Sequence, residues 1–94
     1  MKQVIVDAGP LIGLFYAKDT HHTECVSGFR QLAEENIKAI APVPIVFEVY
    51  KWLLQRTRPQ VAQRAIAVME KSLYIVLLSS EDFDSVRALV AALP

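Results

Sequence analysis

The chain has 94 residues, 53 % of them hydrophobic, with ten Lys plus Arg balanced by ten Asp plus Glu. That length holds one small domain, the apolar share argues against disorder, and zero net charge removes any global pull toward nucleic acid. One cysteine, Cys25, excludes an intrachain disulfide, and no Cys/His spacing of a metal site is present. Met1-Lys2-Gln3 leads straight into a stretch that Asp7 interrupts, unlike a secretory signal, and no apolar run approaches a membrane span. A reducing cytoplasm is the expected compartment.

The first element is a strand over about Gln3 to Val6, because the β-branched Val4-Ile5-Val6 is closed by Gly9 and Pro10. A short helix from about Gly9 to Tyr16 follows, then a polar turn over Ala17 to His22. Cys25, Val26, Phe29, Leu32 and Ala33 recur at helical spacing and predict a second helix, stopped near Asn36. Ile37 to Ala41 reads as a strand ended by Pro42 and Pro44. A third helix runs from about Pro44 to Arg56, and a fourth begins at Pro59, since proline is tolerated in a first helical turn. Val61, Ala62, Ala65, Ile66 and Met69 form the apolar face of that fourth helix.

Leu73 to Leu78 is almost wholly apolar and too short for a helix, which predicts a central strand. Ser79, three before Asp82, opens a fifth helix like a capping box, with Phe83, Val86, Leu89, Val90 and Leu93 as its stripe. Strand, helices, strand, helices, strand and helix in that order imply an α/β fold: right-handed crossovers and a parallel sheet with helices on both faces. Residues 1–94 make one domain. Three strands leave apolar surface uncovered, so we expect the chain to be the larger part of a domain, incomplete at the C-terminus, and to form a homodimer.

Two acids stand out. Asp7 lies at the carboxyl end of the first strand, the edge where open α/β sheets bind ligands. Placed so close to a buried strand, it would need a metal, a charged group or several hydrogen-bond donors. The alternative is a plain cap on the following helix. Glu48 has Ile45 and Trp52 at i−3 and i+4, which sets it within an apolar stripe of helix three. A divalent cation shared with Asp7 would keep both ionised, because hard cations take oxygen ligands. Alternatively, Glu48 emerges at the rim of a partner interface formed by a helix that is apolar nearly all round.

Val4-Ile5-Val6-Asp7-Ala8-Gly9-Pro10-Leu11-Ile12, then Asp19-Thr20-His21-His22, then Ala41-Pro42-Val43-Pro44-Ile45-Val46-Phe47-Glu48-Val49 together resemble the PIN-domain family. The resemblance implies a three-layer α/β/α fold and a metal-dependent ribonuclease, commonly the VapC-type toxin of a toxin–antitoxin pair. It implies Asp7 and Glu48 as the first and second metal-binding acids, Mg²⁺ or Mn²⁺ as cofactor, and an antitoxin protein as a possible partner. His22, three after Asp19, matches a position read as mainly structural. Two features depart from the family pattern. Ala8-Gly9-Pro10 replaces the hydroxyl residue that often follows the first acid. The family's third and fourth acids lie beyond helix five, and Asp82 and Asp84 do not substitute for them, since first-turn acids favour the helix dipole.

RNA contact has one local candidate. From Lys51 to Lys71 the basic residues Lys51, Arg56, Arg58, Arg64 and Lys71 face only Glu70 in charge, with Tyr50 and Trp52 nearby for stacking. A solvated helix connection is the alternative there. Adjacent His21 and His22 point in different directions and do not suit one metal. Gly9 and Gly13 lack the spacing of a dinucleotide or P-loop site. Two function classes therefore stand: a PIN-like endoribonuclease, or a non-catalytic interaction and dimerisation module of the same fold, including an inactive fragment of an enzyme.

Overall fold

A computed structural model describes residues 2–76. Three strands and four helices alternate: β1 (Gln3–Ile5), α1 (Ala8–Phe15), α2 (His22–Glu34), β2 (Lys38–Pro42), α3 (Val43–Arg56), α4 (Pro59–Ser72) and β3 (Tyr74–Val76). The strands form one parallel sheet in the order β1-β2-β3. Among the described residues β2 holds the centre, pairing on both edges, and β3 lies at an edge, where the apolar run Leu73–Leu78 predicts a central strand. Leu77, Leu78 and the expected fifth helix, Ser79 to Leu93 with Asp82 and Asp84, lie outside the described residues. No helix among the described residues is long and apolar enough to cross a membrane.

Local chemistry accounts for most element ends. Asn36 takes a left-handed backbone, φ 59°, as asparagine does more readily than other non-glycine residues. Its N–H donates to the Ala33 carbonyl (3.2 Å) and that of Ile37 to the Leu32 carbonyl (2.8 Å). Those two bonds make a Schellman cap and turn the chain from α2 into β2. Pro44 sits in the first turn of α3 and Pro59 opens α4, where a missing N–H costs nothing. Thr57 closes α3 by donating both its N–H (2.8 Å) and its hydroxyl (2.6 Å) to the Leu53 carbonyl.

Register decides which face is core. Val4 lies beside Ala39, Ile5 beside Ile40, Ile40 beside Tyr74, and Ala41 beside Ile75. Side chains alternate along a strand, so Val4, Val6, Ala39, Ala41 and Ile75 share one face. Against it pack Leu11 of α1, Val46, Val49 and Leu53 of α3, and Ala62, Ala65 and Met69 of α4, all buried. The spacings 46/49/53 and 62/65/69 place each trio on one helical side. Full burial of Leu53 contributes about 1.5–3 kcal/mol. The small Ala39, Ala41, Ala62 and Ala65 let the layers approach closely. No residue of α2 is fully buried; Phe29 and Leu32 pack against the core from its margin.

The opposite face carries Ile5, Ile40, Tyr74 and Val76. Ile5 is 75 % exposed and Tyr74 54 %. Lys38 stands on this side with its Nζ 3.8 Å from the Tyr74 ring centre. The fold is thus α/β with a parallel sheet. Among the described residues the buried helical residues lie on one face of that sheet, where helices on both had been expected.

Candidate metal and RNA site

Asp7 leaves the end of β1 in an extended conformation, φ −90° and ψ 171°, and caps α1. Its Oδ1 accepts the Ala8 N–H at 2.7 Å. An anion is favoured there by the helix dipole. This bond uses one of about four acceptor positions on the carboxylate, so oxygen capacity remains. Asp7 is exposed, so the desolvation argument made for it from the sequence does not operate. Position, not burial, makes it a candidate.

Glu48 is also exposed. The stripe that α3 buries is Val46, Val49 and Leu53, which turns Glu48 outward, whereas its sequence neighbours predicted an apolar setting. Pro44, Glu48, Trp52 and Arg56 form one i,i+4 row on α3, and Phe47, Lys51 and Gln55 form the next. These seven residues line a single surface groove of about 510 Å³. The Arg56 guanidinium lies 4.7 Å from the Trp52 ring centre, and Tyr16, the residue that caps the end of α1, meets Trp52 edge-on at 5.2 Å. Glu48, Lys51 and Arg56 are therefore brought together. Arg58, the residue before α4, is exposed and does not line this groove. Phe47, 60 % exposed, is a groove residue that the sequence reading had counted only among the apolar residues of the helix. The available signal was its place outside the 46/49/53 spacing.

Asp7 lines a different groove, about 630 Å³, between β1 and α2, with Val4, Ile5, Val6, Pro10, Cys25 and Phe29 among its walls. The two acids do not share a pocket. They do share an edge: α1 follows β1 and α3 follows β2 at the carboxyl end of a parallel sheet, and α1 packs against α3. Among the described residues, no three of His, Cys, Asp and Glu converge as a metal cluster.

The Asp19-to-Cys25 segment ties α2 to α1. Asp19 Oδ1 accepts the His21 N–H (2.8 Å), and His22 Nδ1 donates to the Gly13 carbonyl oxygen (2.7 Å). That bond occupies one ring nitrogen of His22 within the fold. His21 stands 3.6 Å from Glu24, with both side chains largely in solvent, where such pairs contribute little. Burial, then the nearby Asp19 and Glu24 carboxylates, push the Cys25 thiol above its ordinary pKa. A low-pKa nucleophile is the opposite case.

In comparisons with known proteins, no family model, curated sequence or solved structure matches this chain.

Proposed function

We propose that this chain is a metal-dependent endoribonuclease of PIN-like type, the toxin half of a toxin–antitoxin pair, hydrolysing RNA phosphodiester bonds. The observation that carries the reading is the placement of Asp7 at the carboxyl edge of β1, at the start of α1, the helix that packs against the Glu48-bearing α3. The donor chemistry fits Mg²⁺ or Mn²⁺: both acids are exposed oxygen donors, and magnesium keeps several waters while taking only one or two carboxylates. When bound, such an ion neutralises phosphate charge and makes a water more acidic. Asp7 and Glu48 are the residues that would hold such an ion. Lys51 and Arg56 attract the RNA backbone along the Glu48 groove, where Phe47 and Trp52 offer faces for unpaired bases. Arg58 extends the basic charge past the end of α3. The resemblance supplies the antitoxin as a partner.

A second reading is a non-catalytic interaction module of the same fold. It is favoured by the exposure of large apolar residues, Ile5, Phe47 and Leu54 among them.

Incubation of a mixed RNA pool with the chain in Mg²⁺, Mn²⁺ or EDTA separates the two. Asp7→Asn keeps an oxygen for the Ala8 N–H, so the cap survives while the charge is lost. Metal-dependent cutting that disappears in Asp7→Asn and weakens in Glu48→Gln is the expected result. Cutting that persists in EDTA, or in Asp7→Asn, rejects the metal-dependent assignment built on Asp7; no cutting by the native chain leaves an interaction module or an inactive fragment of an enzyme.

A further inference from the structure

Arg56 closes α3, and the negative end of the helix dipole accounts for a cation in that last turn. The dipole does not account for where the guanidinium lies. It is folded back over the ring of Trp52, one helical turn earlier, and Tyr16 meets the same indole edge-on. A guanidinium laid on a ring is attracted by the π-system and keeps its N–H donors for other partners. Among the described residues neither an ion pair nor a side-chain hydrogen bond takes those donors up. Arg56 is exposed and lines the groove that Glu48 and Lys51 also line. The Tyr16 contact sets the level of this pair along the molecule. Both α1 and α3 start at the carboxyl edge of the sheet, and Tyr16 follows Asp7 across the whole of α1, about 13 Å along the helix axis.

We propose that Arg56, held on Trp52, grips a backbone phosphate of RNA other than the one cleaved, so that the chain takes RNA extending beyond the bond it cuts. The ligand class rests on the nuclease reading; the position of the grip rests on the geometry of α1 and α3. Asp7 precedes α1 and Glu48 lies in the first half of α3, whereas Arg56 is the last residue of α3. The indole stands between Glu48 and Arg56 in the 48/52/56 row. A single phosphate does not span from the two acids to the guanidinium, so the phosphate that Arg56 meets is a flanking one. Arginine suits the task because its planar fork can donate to two phosphate oxygens at once. Stacking on Trp52 fixes the fork before RNA arrives, which reduces the freedom lost on binding. A lysine in the same place would supply the charge without the fork or the stack.

Fluorescence anisotropy of a labelled single-stranded oligouridylate, titrated with the whole chain in EDTA over a series of salt concentrations, reads the grip without cleavage. Arg56→Gln is expected to lower the slope of log affinity against log salt by about 0.7 and to raise Kd about fivefold at ~0.1 M salt. Arg56→Lys restores the slope but leaves Kd at least about twofold above the native value. Arg64→Gln removes the same charge from α4, outside the groove, and leaves the slope at its native value. Both arginines are exposed, so the variants retain the native melting curve. A native chain that does not bind overturns the proposal, as does Arg56→Gln that matches it. Equal losses in Arg64→Gln overturn it in favour of general charge attraction, and Arg56→Lys that matches the native chain overturns the held fork. Cleavage in Mg²⁺ or Mn²⁺ separates the grip from the nuclease reading. The loss of kcat/KM in Arg56→Gln is expected to be larger on the oligonucleotide than on UpU, whose single phosphate is the one cut. An equal loss on both overturns the flanking position and leaves the nuclease reading in place. A lowered slope with no cutting by the native chain ends the nuclease reading and keeps Arg56 as the phosphate grip of an RNA-binding groove.

Discussion

Gly13→Ala puts the α1–α2 joint under a defined load. A Cβ at Gly13 would stand 2.5 Å from Cys25 Sγ and 3.4 Å from Cys25 Cβ. Alanine within a helix is favoured over glycine by about 1 kcal/mol. Overpacking of a close contact costs about 1–3 kcal/mol, and here the obstacle is a short side chain on a neighbouring helix. The added methyl also displaces the segment whose carbonyl receives His22 Nδ1. The expected balance is a net loss of about 1 kcal/mol, or about 4–8 °C in Tm for a domain of this size. Removing the obstacle reverses the sign. In a Cys25→Ala background the sulfur is gone, and Gly13→Ala then stabilises by up to about 1 kcal/mol through helix propensity. Thermal or urea melts of the native chain, both single variants and the double variant close the cycle, with an expected coupling of about 2 kcal/mol. Equal stabilisation by Gly13→Ala in both backgrounds would refute the close approach.

Two further expectations concern the same part of the molecule. Asn36→Ala forces a side chain without local hydrogen-bonding capacity into the left-handed region and costs about 1–2 kcal/mol, whereas Asn36→Gly stays within a few tenths of the native value; urea midpoints of the two variants check this, and equal loss in both would point to a side-chain contact of Asn36. The raised pKa of Cys25 means that the folded state holds the thiol proton more tightly than the unfolded chain does. Its stabilising effect is therefore full below the ordinary thiol value of 9.0 and is lost as pH rises through the higher folded value. Alkylation near pH 9 should be slower in the native chain than in urea, and Cys25→Ala should lose less stability above that pH than the native chain.

Much of the fold was legible because its local signals and its tertiary needs agree. The β-branched run ending in Asp7 gave both a strand and a helix start. Asn36 was readable as a stop, and Pro44 and Pro59 as starts, because each residue's own backbone chemistry decides the matter. The order of strands in space was not readable from such signals. An apolar run such as Leu73 to Leu78 suits a central strand, yet sheet position depends on crossovers rather than on one strand's composition. The candidate site divided in the same way. Asp7 was found from its place at a strand end, which the structure retains. Glu48 was singled out as a carboxylate within an apolar stripe. That inference failed because helix three has apolar residues on several sides, and only the 46/49/53 side meets the core. The Gly13–Cys25 approach joins residues on separate helices and leaves no mark in either local pattern.

The setting of Trp52 gives the molecule an optical reporter of its own. It is the single tryptophan of the chain, half-buried where α1 meets α3, with the edge-on Tyr16 ring on one side and the Arg56 guanidinium near its face. Its emission therefore registers any separation of those two helices without an attached dye. Because Glu48, Lys51 and Arg56 line the same groove, any anion that drew Arg56 away, an RNA phosphate under the proposed function, would change the indole's surroundings as well. Loosening of the helix pair and occupation of the groove thus become readable as wavelength and intensity from one native fluorophore.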